Sequence, residues 1–243
     1  DNWETSEQNI LFTAGLNKRF EWFDITEYQT AGLDLDVDYF INDDSISSYS
    51  GGLITARPYL STDFNQYRIY IGADLTFRAD SASEFHFYPV AKAEVDFIED
   101  ILPGYASIGG GIKRASYKSL SDENPFILPI VPMDYVNEQF NFSAGILGNI
   151  SEKVNFHIMA ENSTVKNLPL FVNDTSNQLE NTFTVLYDDA NVFHFKAAVS
   201  ANTSESLRLN IYAELFNYSM KDEEKAWHRP GLKAGIHAQY SIR

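Results

Sequence analysis

The sequence predicts an all-β protein, specifically a transmembrane antiparallel up-and-down β-barrel. Three observations predict it. Apolar residues recur with a period of two, the alternating runs are longer than ordinary strands, and the segments between them alternate between short and long. Side chains on a strand alternate faces, so each run has one apolar and one polar side. No stretch of useful length keeps a helical spacing.

Eleven strands read along the chain, near 10–20, 29–40, 52–60, 67–78, 85–97, 105–114, 139–148, 154–162, 191–201, 207–217 and 231–242. In the second, Leu33, Leu35, Val37 and Tyr39 oppose Asp34, Asp36 and Asp38. In the fourth, Ile69, Ile71, Ala73, Leu75 and Phe77 oppose Arg68, Tyr70, Asp74 and Thr76. In the fifth, Ala91, Ala93, Val95 and Phe97 oppose Lys92, Glu94 and Asp96. The tenth sets Leu207, Leu209, Ile211, Ala213 and Leu215 against Arg208, Asn210, Tyr212 and Glu214. The eleventh sets Leu232, Ala234, Ile236, Ala238 and Tyr240 against Lys233, His237 and Gln239. Soluble strands usually run about five or six residues, whereas a tilted membrane-spanning strand needs roughly 9–11. Most of these runs match the second length.

The connections agree. Segments 21–28, 61–66, 98–104, 149–153 and 202–206 are short. Those after the even strands are mostly longer, and 41–51, 115–138, 163–190 and 218–230 are expected as outer loops. Outer-membrane barrels have short periplasmic turns and long outer loops. Thr182 to Tyr187 is strand-like, but a spanning strand there would break the parity, so it is assigned to a structured outer loop. Trp22, Phe23, Tyr39, Phe40, Tyr59, Tyr67, Phe77, Phe87, Tyr88, Phe97, Tyr105 and Phe140 lie near strand ends, where an aromatic girdle is expected.

Composition narrows the function. The 243 residues fit one barrel domain or barrel segment, 1–243. There are 34 acidic and 18 basic residues, a net charge of −16, which repels nucleic-acid phosphate. No Cys is present, which excludes disulfides and cysteine zinc sites. With 18 Phe, 14 Tyr and 3 Trp the chain is not a disordered tail.

By parity the inward face carries Asp34, Asp36, Asp38, Asp74, Glu94, Asp96, Glu161 and Glu214. It also carries Arg57, Arg68, Lys92, Lys113, Lys196, Arg208 and Lys233. The signs nearly balance, so the excess negative charge belongs to loops and turns. A balanced lumen can pair its charges across strands, whereas a strongly ion-selective pore shows rings of one sign. The Asp34, Asp36, Asp38 stripe fits either a cation site or a solvated, Arg-paired lumen wall. His157, His194 and His237 face inward without a metal-binding spacing, so they read as polar lumen residues and no metal or other cofactor is expected. No GxSxG elbow or other catalytic arrangement appears, and the chain is read as non-catalytic. Gly109-Gly110-Gly111 opens a strand, not a helix, so it serves sheet bending or a bulky neighbour rather than phosphate binding. Segment 121–135 holds Pro125, Pro129 and Pro132 among Phe126, Ile127, Leu128, Ile130, Val131 and Met133. Two readings fit it: a contact surface for a partner or plug, or a loop folded into the barrel mouth.

From Phe85 to Phe126 the chain reads FHFYPVAKAEVDFIEDILPGYASIGGGIKRASYKSLSDENPF. This stretch resembles barrel segments of TonB-dependent-receptor-like outer-membrane proteins of Bacteroidota. Tyr187-Asp188-Asp189 and Ala226-Trp227-His228-Arg229-Pro230 are similar to later loop features of the same group. The resemblance covers about residues 65–243 and carries no catalytic residues. It implies a bacterial outer-membrane location, contact with lipid and lipopolysaccharide, and other envelope proteins as partners. Asp44-Ser45-Ile46 and Asp80-Ser81-Ala82 resemble the O-glycosylation signal of that phylum, which marks Ser45 and Ser81. No plug domain or TonB box reads in the sequence. Eleven strands, an odd number, and a terminal Ser241-Ile242-Arg243 lead us to expect part of a longer barrel.

The expected function is a pore, a transporter shell, or a barrel subunit of an envelope complex. The alternative from another class is a soluble β-rich ligand-binding protein with a lipocalin-like cavity. Lipocalins have eight strands and a polar exterior.

Overall fold

A computed structural model describes residues 5–21, 28–44, 48–64, 66–80, 82–98, 101–175, 181–202 and 206–241. Ser45, Ser81, Trp22 and Phe23 lie outside the described residues. Eleven strands form one antiparallel sheet in sequence order: β1 (Thr5–Phe20), β2 (Tyr28–Asp44), β3 (Ser48–Phe64), β4 (Tyr67–Ala79), β5 (Glu84–Ile98), β6 (Leu102–Arg114), β7 (Tyr135–Ser151), β8 (Val154–Asn173), β9 (Phe183–Asn202), β10 (Leu207–Met220) and β11 (Leu232–Tyr240). One short helix, α1 (Tyr117–Glu123), interrupts them. Ser116 caps it by accepting the Ser119 N–H at 3.0 Å. Each strand is a neighbour of the next, the meander of an up-and-down barrel.

The register shows why two faces form. One cross-strand row runs Ile69, Ala93, Ala106, Ala144, Ala160, Phe195, Leu215, Leu232 through eight strands without a charge. The row one residue over runs Arg68, Glu94, Tyr105, Gly145, Met159, Lys196, Glu214, Lys233. A period of two puts these rows on opposite faces. Large apolar side chains on the first face stay uncovered: Phe12 is 56% exposed, Ile71 60% and Leu232 61%. The charged face lies inside the curl of the sheet. Arg114 on β6 there pairs with Glu7 on β1 and donates to Asn42 Oδ1 on β2 at 2.8 Å.

Parity also sorts the aromatics. Tyr39, Tyr67, Phe77, Phe87, Phe97 and Phe140 are exposed on the apolar face. Phe40 and Tyr88 are buried on the inner face. Tyr59 and Tyr105 also lie inward, their rings over the cross-strand glycines Gly32 and Gly145. Six of the ten described girdle candidates thus face outward; strand-end position alone does not distinguish the faces.

Several strands outrun the lengths expected from the sequence. β8 and β9 are each 20 residues long. Their outer halves pair from Leu168↔Asp188 to Asn173↔Phe183, so Thr182 to Tyr187 continues β9 rather than adding a spanning strand. A bulge between Val165 and Leu168 marks the transition. Asn167 sits there at φ 55°, a left-handed conformation that Asn tolerates better than most residues. A second irregularity falls between Gly109 and Gly111, where β6 ceases to pair with β5 beyond Ala91↔Ile108. A side chain at Gly110 would meet the Tyr88 ring at 2.7 Å. One of the two roles expected of the glycine run, room for a bulky neighbour, is present at Gly110.

Candidate functional site: inner face and outer cap

Of the fifteen charged lumen candidates, fourteen fall on the inner face by register: Asp34, Asp36 and Asp38 on β2, Arg57 on β3, Arg68 and Asp74 on β4, Lys92, Glu94 and Asp96 on β5, Glu161 on β8, Lys196 on β9, Arg208 and Glu214 on β10, and Lys233 on β11. Lys113 follows the register shift at Gly109/Gly111 and is out of step with them, because its neighbour Arg114 is the residue that points inward there. Many form cross-strand pairs. Arg57 bonds Asp36 on one side and Asp74 Oδ2 on the other, the latter at 3.1 Å. Thr76 donates to Asp74 Oδ1 at 2.7 Å and shares a 2.9 Å bond with Thr55. Lower down, Arg68 reaches Asp63 at 2.9 Å and Glu94 at 2.5 Å, and Lys92 reaches Glu94 at 2.8 Å. Across the sheet Lys196 meets Glu214 at 3.1 Å, while Lys233 lies 5.3 Å from the Phe216 ring centre. Arg208 donates to Asn202 at 3.1 Å. Opposite charges on neighbouring strands of one face attract, and partial exposure keeps each pair modest.

Recesses lie along this face among the described residues, two of them lined by its charged pairs. One of about 540 Å³ sits near the short turns, lined by Arg68, Lys92, Glu94, Asp96, Tyr105 and His157 among others. Tyr105 Oη and His157 Nε2 are 2.9 Å apart at its wall. The second, about 300 Å³, is lined by Thr55, Arg57, Asp74, Thr76, Lys113 and Glu138 among others. It lies close to the outer end, where Val136, Val165 and Leu168 also border it.

The main hydrophobic core is not in the sheet interior. It lies at the long-loop end and joins three of the expected loops. Leu120, Ile127 and Val131 come from the β6–β7 connection, and Leu168, Leu170, Phe171 and Val185 from the β8–β9 extension. Ala226 and Trp227 come from the β10–β11 connection. Leu170 and Phe171 are 0% and 2% exposed. These segments form a cap.

Polar bonds tie the cap together. Phe183 N–H donates to Phe126 O, and Leu128 N–H donates to Phe183 O, adding residues 126–128 to the β9 edge. Tyr187 Oη donates to Pro132 O at 3.0 Å and accepts from Asp134 N–H at 3.2 Å. Asp188 is 5% exposed, and its carboxylate accepts the N–H groups of Asp189, Asp222 and Glu223. Burial opposes its ionisation, but those backbone donors outweigh burial and hold its pKa below the ordinary carboxylate value. Arg229 donates twice to Pro169 O and pairs with Glu123 at 3.1 Å. The His228 ring nitrogen lies 2.5 Å from Phe171 O. Both late loop features singled out in the sequence therefore sit at the joints of the cap.

The cap is also pinned to the first two strands. Besides Arg114, Lys118 N–H donates to Glu7 Oε2 at 3.0 Å, Thr5 Oγ1 to Pro129 O at 2.6 Å, and Asn42 Nδ2 reaches Met133 Sδ at 3.4 Å. Arg114 stacks 3.8 Å above the Phe40 ring. Of the nine loop contact candidates, Ile127 and Val131 are buried, while Leu128, Ile130 and Met133 are half-buried. Pro125, Phe126, Pro129 and Pro132 are exposed, Phe126 at 63%. The segment thus reaches β1 and β2 at the long-loop end and keeps an exposed apolar edge.

No family model and no curated protein matches the chain. Solved structures do. The pyoverdine outer-membrane receptor FpvA from Pseudomonas aeruginosa PAO1 aligns with 99% of this chain at TM-score 0.63 and 10% identity. The copper transporter OprC and the alcaligin outer-membrane receptor FauA from Bordetella pertussis each align with 99% of it at TM-score 0.63 and 12% identity. The chain has the fold of an outer-membrane receptor barrel. It spans about two fifths of those proteins, 40% of FpvA and 44% of OprC and FauA. Among the described residues β1 pairs only with β2, and β11 only with β10.

Proposed function

We infer that this chain forms part of an outer-membrane transport barrel, of the TonB-dependent-receptor type, that moves a solute without chemical change. One observation carries the reading: an uncharged row across eight strands lies one residue from a row that holds five charges, four of them in cross-strand pairs. The first suits lipid, and the second suits a water-filled wall. Lipid and lipopolysaccharide then cover the convex face, and the inner face, with Arg57, Arg68 and Glu214, lines the passage. The exposed edge of the cap, Phe126 with its neighbouring prolines, supports contact with another envelope protein. A Bacteroidota origin is supported by the resemblance of Phe85–Phe126. The lipocalin-like alternative requires a polar exterior, which the exposed Phe12, Ile71 and Leu232 oppose.

The test is fractionation followed by reconstitution of the native protein. The reading expects detergent-dependent extraction from outer membranes and solute flux through proteoliposomes. Recovery in the detergent-free soluble fraction refutes it.

A further inference from the structure

The 300 Å³ recess near the cap has two unlike sides. Thr55 and Arg57 on β3, Asp74 and Thr76 on β4 and Glu138 on β7 supply a polar one. Ile112, Val136, Val165 and Leu168 supply an apolar one, the last three as part of the cap core. The polar side offers acceptors rather than donors. Thr76 donates to Asp74 Oδ1, so its one hydroxyl hydrogen is used. Thr55 must then donate the 2.9 Å bond it shares with Thr76. Thr55 is 7% exposed and is left with lone pairs and no hydrogen to give. Glu138 Oε1 accepts from Asn141 at 3.1 Å, and its Oε2 takes no bond among the described residues. Charge points the same way. Asp36 and Asp74 share one guanidinium, which leaves that trio one negative charge, and Glu138 adds a second. Asp34 and Asp38 flank Asp36 on the same face. Arg78, two positions beyond Thr76, is itself bonded to Asp80 at 2.6 Å. Lys113 borders the recess, but its strand position is out of step with the inward row.

We propose that this recess binds a primary ammonium carried on a small apolar body, and that such amphipathic amines are a substrate class of the passage. This rests on the transport reading above. An ammonium is a compact donor with three N–H groups and no acceptor. Thr55 Oγ1 and the Glu138 carboxylate can accept from it, and Asp36 and Asp74 add attraction that one guanidinium does not cancel. Its hydrocarbon then packs against Ile112, Val136, Val165 and Leu168, where apolar surface leaves water. A carboxylate of the same size finds the same apolar side, but it faces Glu138 and competes with two aspartates for Arg57. A volume of about 300 Å³ is at the small end of ligand pockets, which suits a small amine.

The test titrates the native protein in detergent at pH 7 with ethyl-, propyl- and butylammonium chloride and with sodium butyrate, read by ligand-detected NMR against a protein-free micelle blank. An alkylammonium keeps its proton at this pH, as a lysine side chain does. Butylammonium should bind and butyrate should not. Affinity should rise about fourfold per added methylene, the gain from burying one CH₂. Glu138→Gln keeps an acceptor for Asn141 and removes the charge, so it should weaken butylammonium about tenfold. Thr55→Val keeps the shape and removes the acceptor, so it should weaken it about fivefold. Equal binding of butyrate, no gain with chain length, or butylammonium binding that neither variant weakens overturns the proposal. No butylammonium binding by a protein that still carries solute flux in proteoliposomes also overturns it and leaves the transport reading standing. Recovery of the protein in the detergent-free soluble fraction overturns both.

Discussion

Replacing Asp188 with Ala should loosen the start of the β10–β11 connection, at Asp222 and Glu223, while leaving the sheet intact. The carboxylate accepts N–H groups at 2.7 Å from Asp189, 3.1 Å from Asp222 and 2.9 Å from Glu223. The Asp189 bond is local to the turn, so two of the bonds that hold the connection are lost. Hydrogen bonds to a charged group contribute about 1.5–3 kcal/mol each, and a buried donor left unpaired costs a comparable amount. The connection can swing out and rehydrate its N–H groups, so the local loss is expected near the lower end for two bonds, about 3 kcal/mol. At 1.36 kcal/mol per factor of ten, that is roughly a hundredfold faster opening. Native-state hydrogen exchange on the detergent-solubilised barrel reads this directly at the amides of Asp222 and Glu223. The pH dependence follows in sign. The Asp188 pKa is lowered in the folded state, so its contribution is fully present above the ordinary value of 3.8 and is lost as pH falls through the lower folded value. Asp188→Ala should therefore match the wild type only in strong acid. Unchanged exchange at Asp222 and Glu223, or an equal rise in every strand, would refute the reasoning.

The remaining predictions concern the pins and the wall. Arg114→Ala removes a side chain only 6% exposed and leaves Glu7 without its charged partner, holding only the Lys118 N–H; it should cost about 3 kcal/mol at the cap and expose residues 115–135 to limited proteolysis. Proteolysis confined to the short turns would contradict it. Gly145→Val places a Cβ 2.7 Å from the Tyr105 ring and 2.8 Å from Ile158 O, so it should lower stability by about 1–3 kcal/mol in denaturant titration and break the Tyr105–His157 bond. Gly111→Ala meets nothing within 4 Å and should be neutral or slightly stabilising. Arg57→Gln leaves Asp36 and Asp74 without their shared partner; a double-mutant cycle with Asp74→Asn should show coupling of about 1 kcal/mol, and additivity would show the pair contributes nothing.

The sheet was legible because each spanning strand needs one apolar and one charged face, and that demand writes itself as alternation. Asp34 to Tyr39 shows it within six residues. The inner-face residues followed from the same parity. The cap was much less legible. Its strands are extensions buried on both faces by loops, so Leu168-Pro169-Leu170-Phe171-Val172 is a continuous apolar run without alternation. That run is too apolar for a solvated loop, and it was the available signal for a second core. Which apolar residues of 121–135 would be buried could not be read either. Ile127 is buried because residues 126–128 join the β9 edge, a contact with Phe183 that lies 56 positions away. Asn167 and Asp188 matter through bonds to distant backbone, which no local spacing encodes.

The central claim is that alternate residues of these strands face lipid and water. Spin labels placed singly along β9, from Phe193 to Ser200, test it in reconstituted membranes. Labels at Phe193, Phe195, Ala197 and Val199 should be accessible to oxygen and shielded from a water-soluble relaxer, and labels at His194, Lys196, Ala198 and Ser200 should show the reverse. A period of two in both profiles is the predicted result. Equal access of the water-soluble relaxer to both sets would contradict the account.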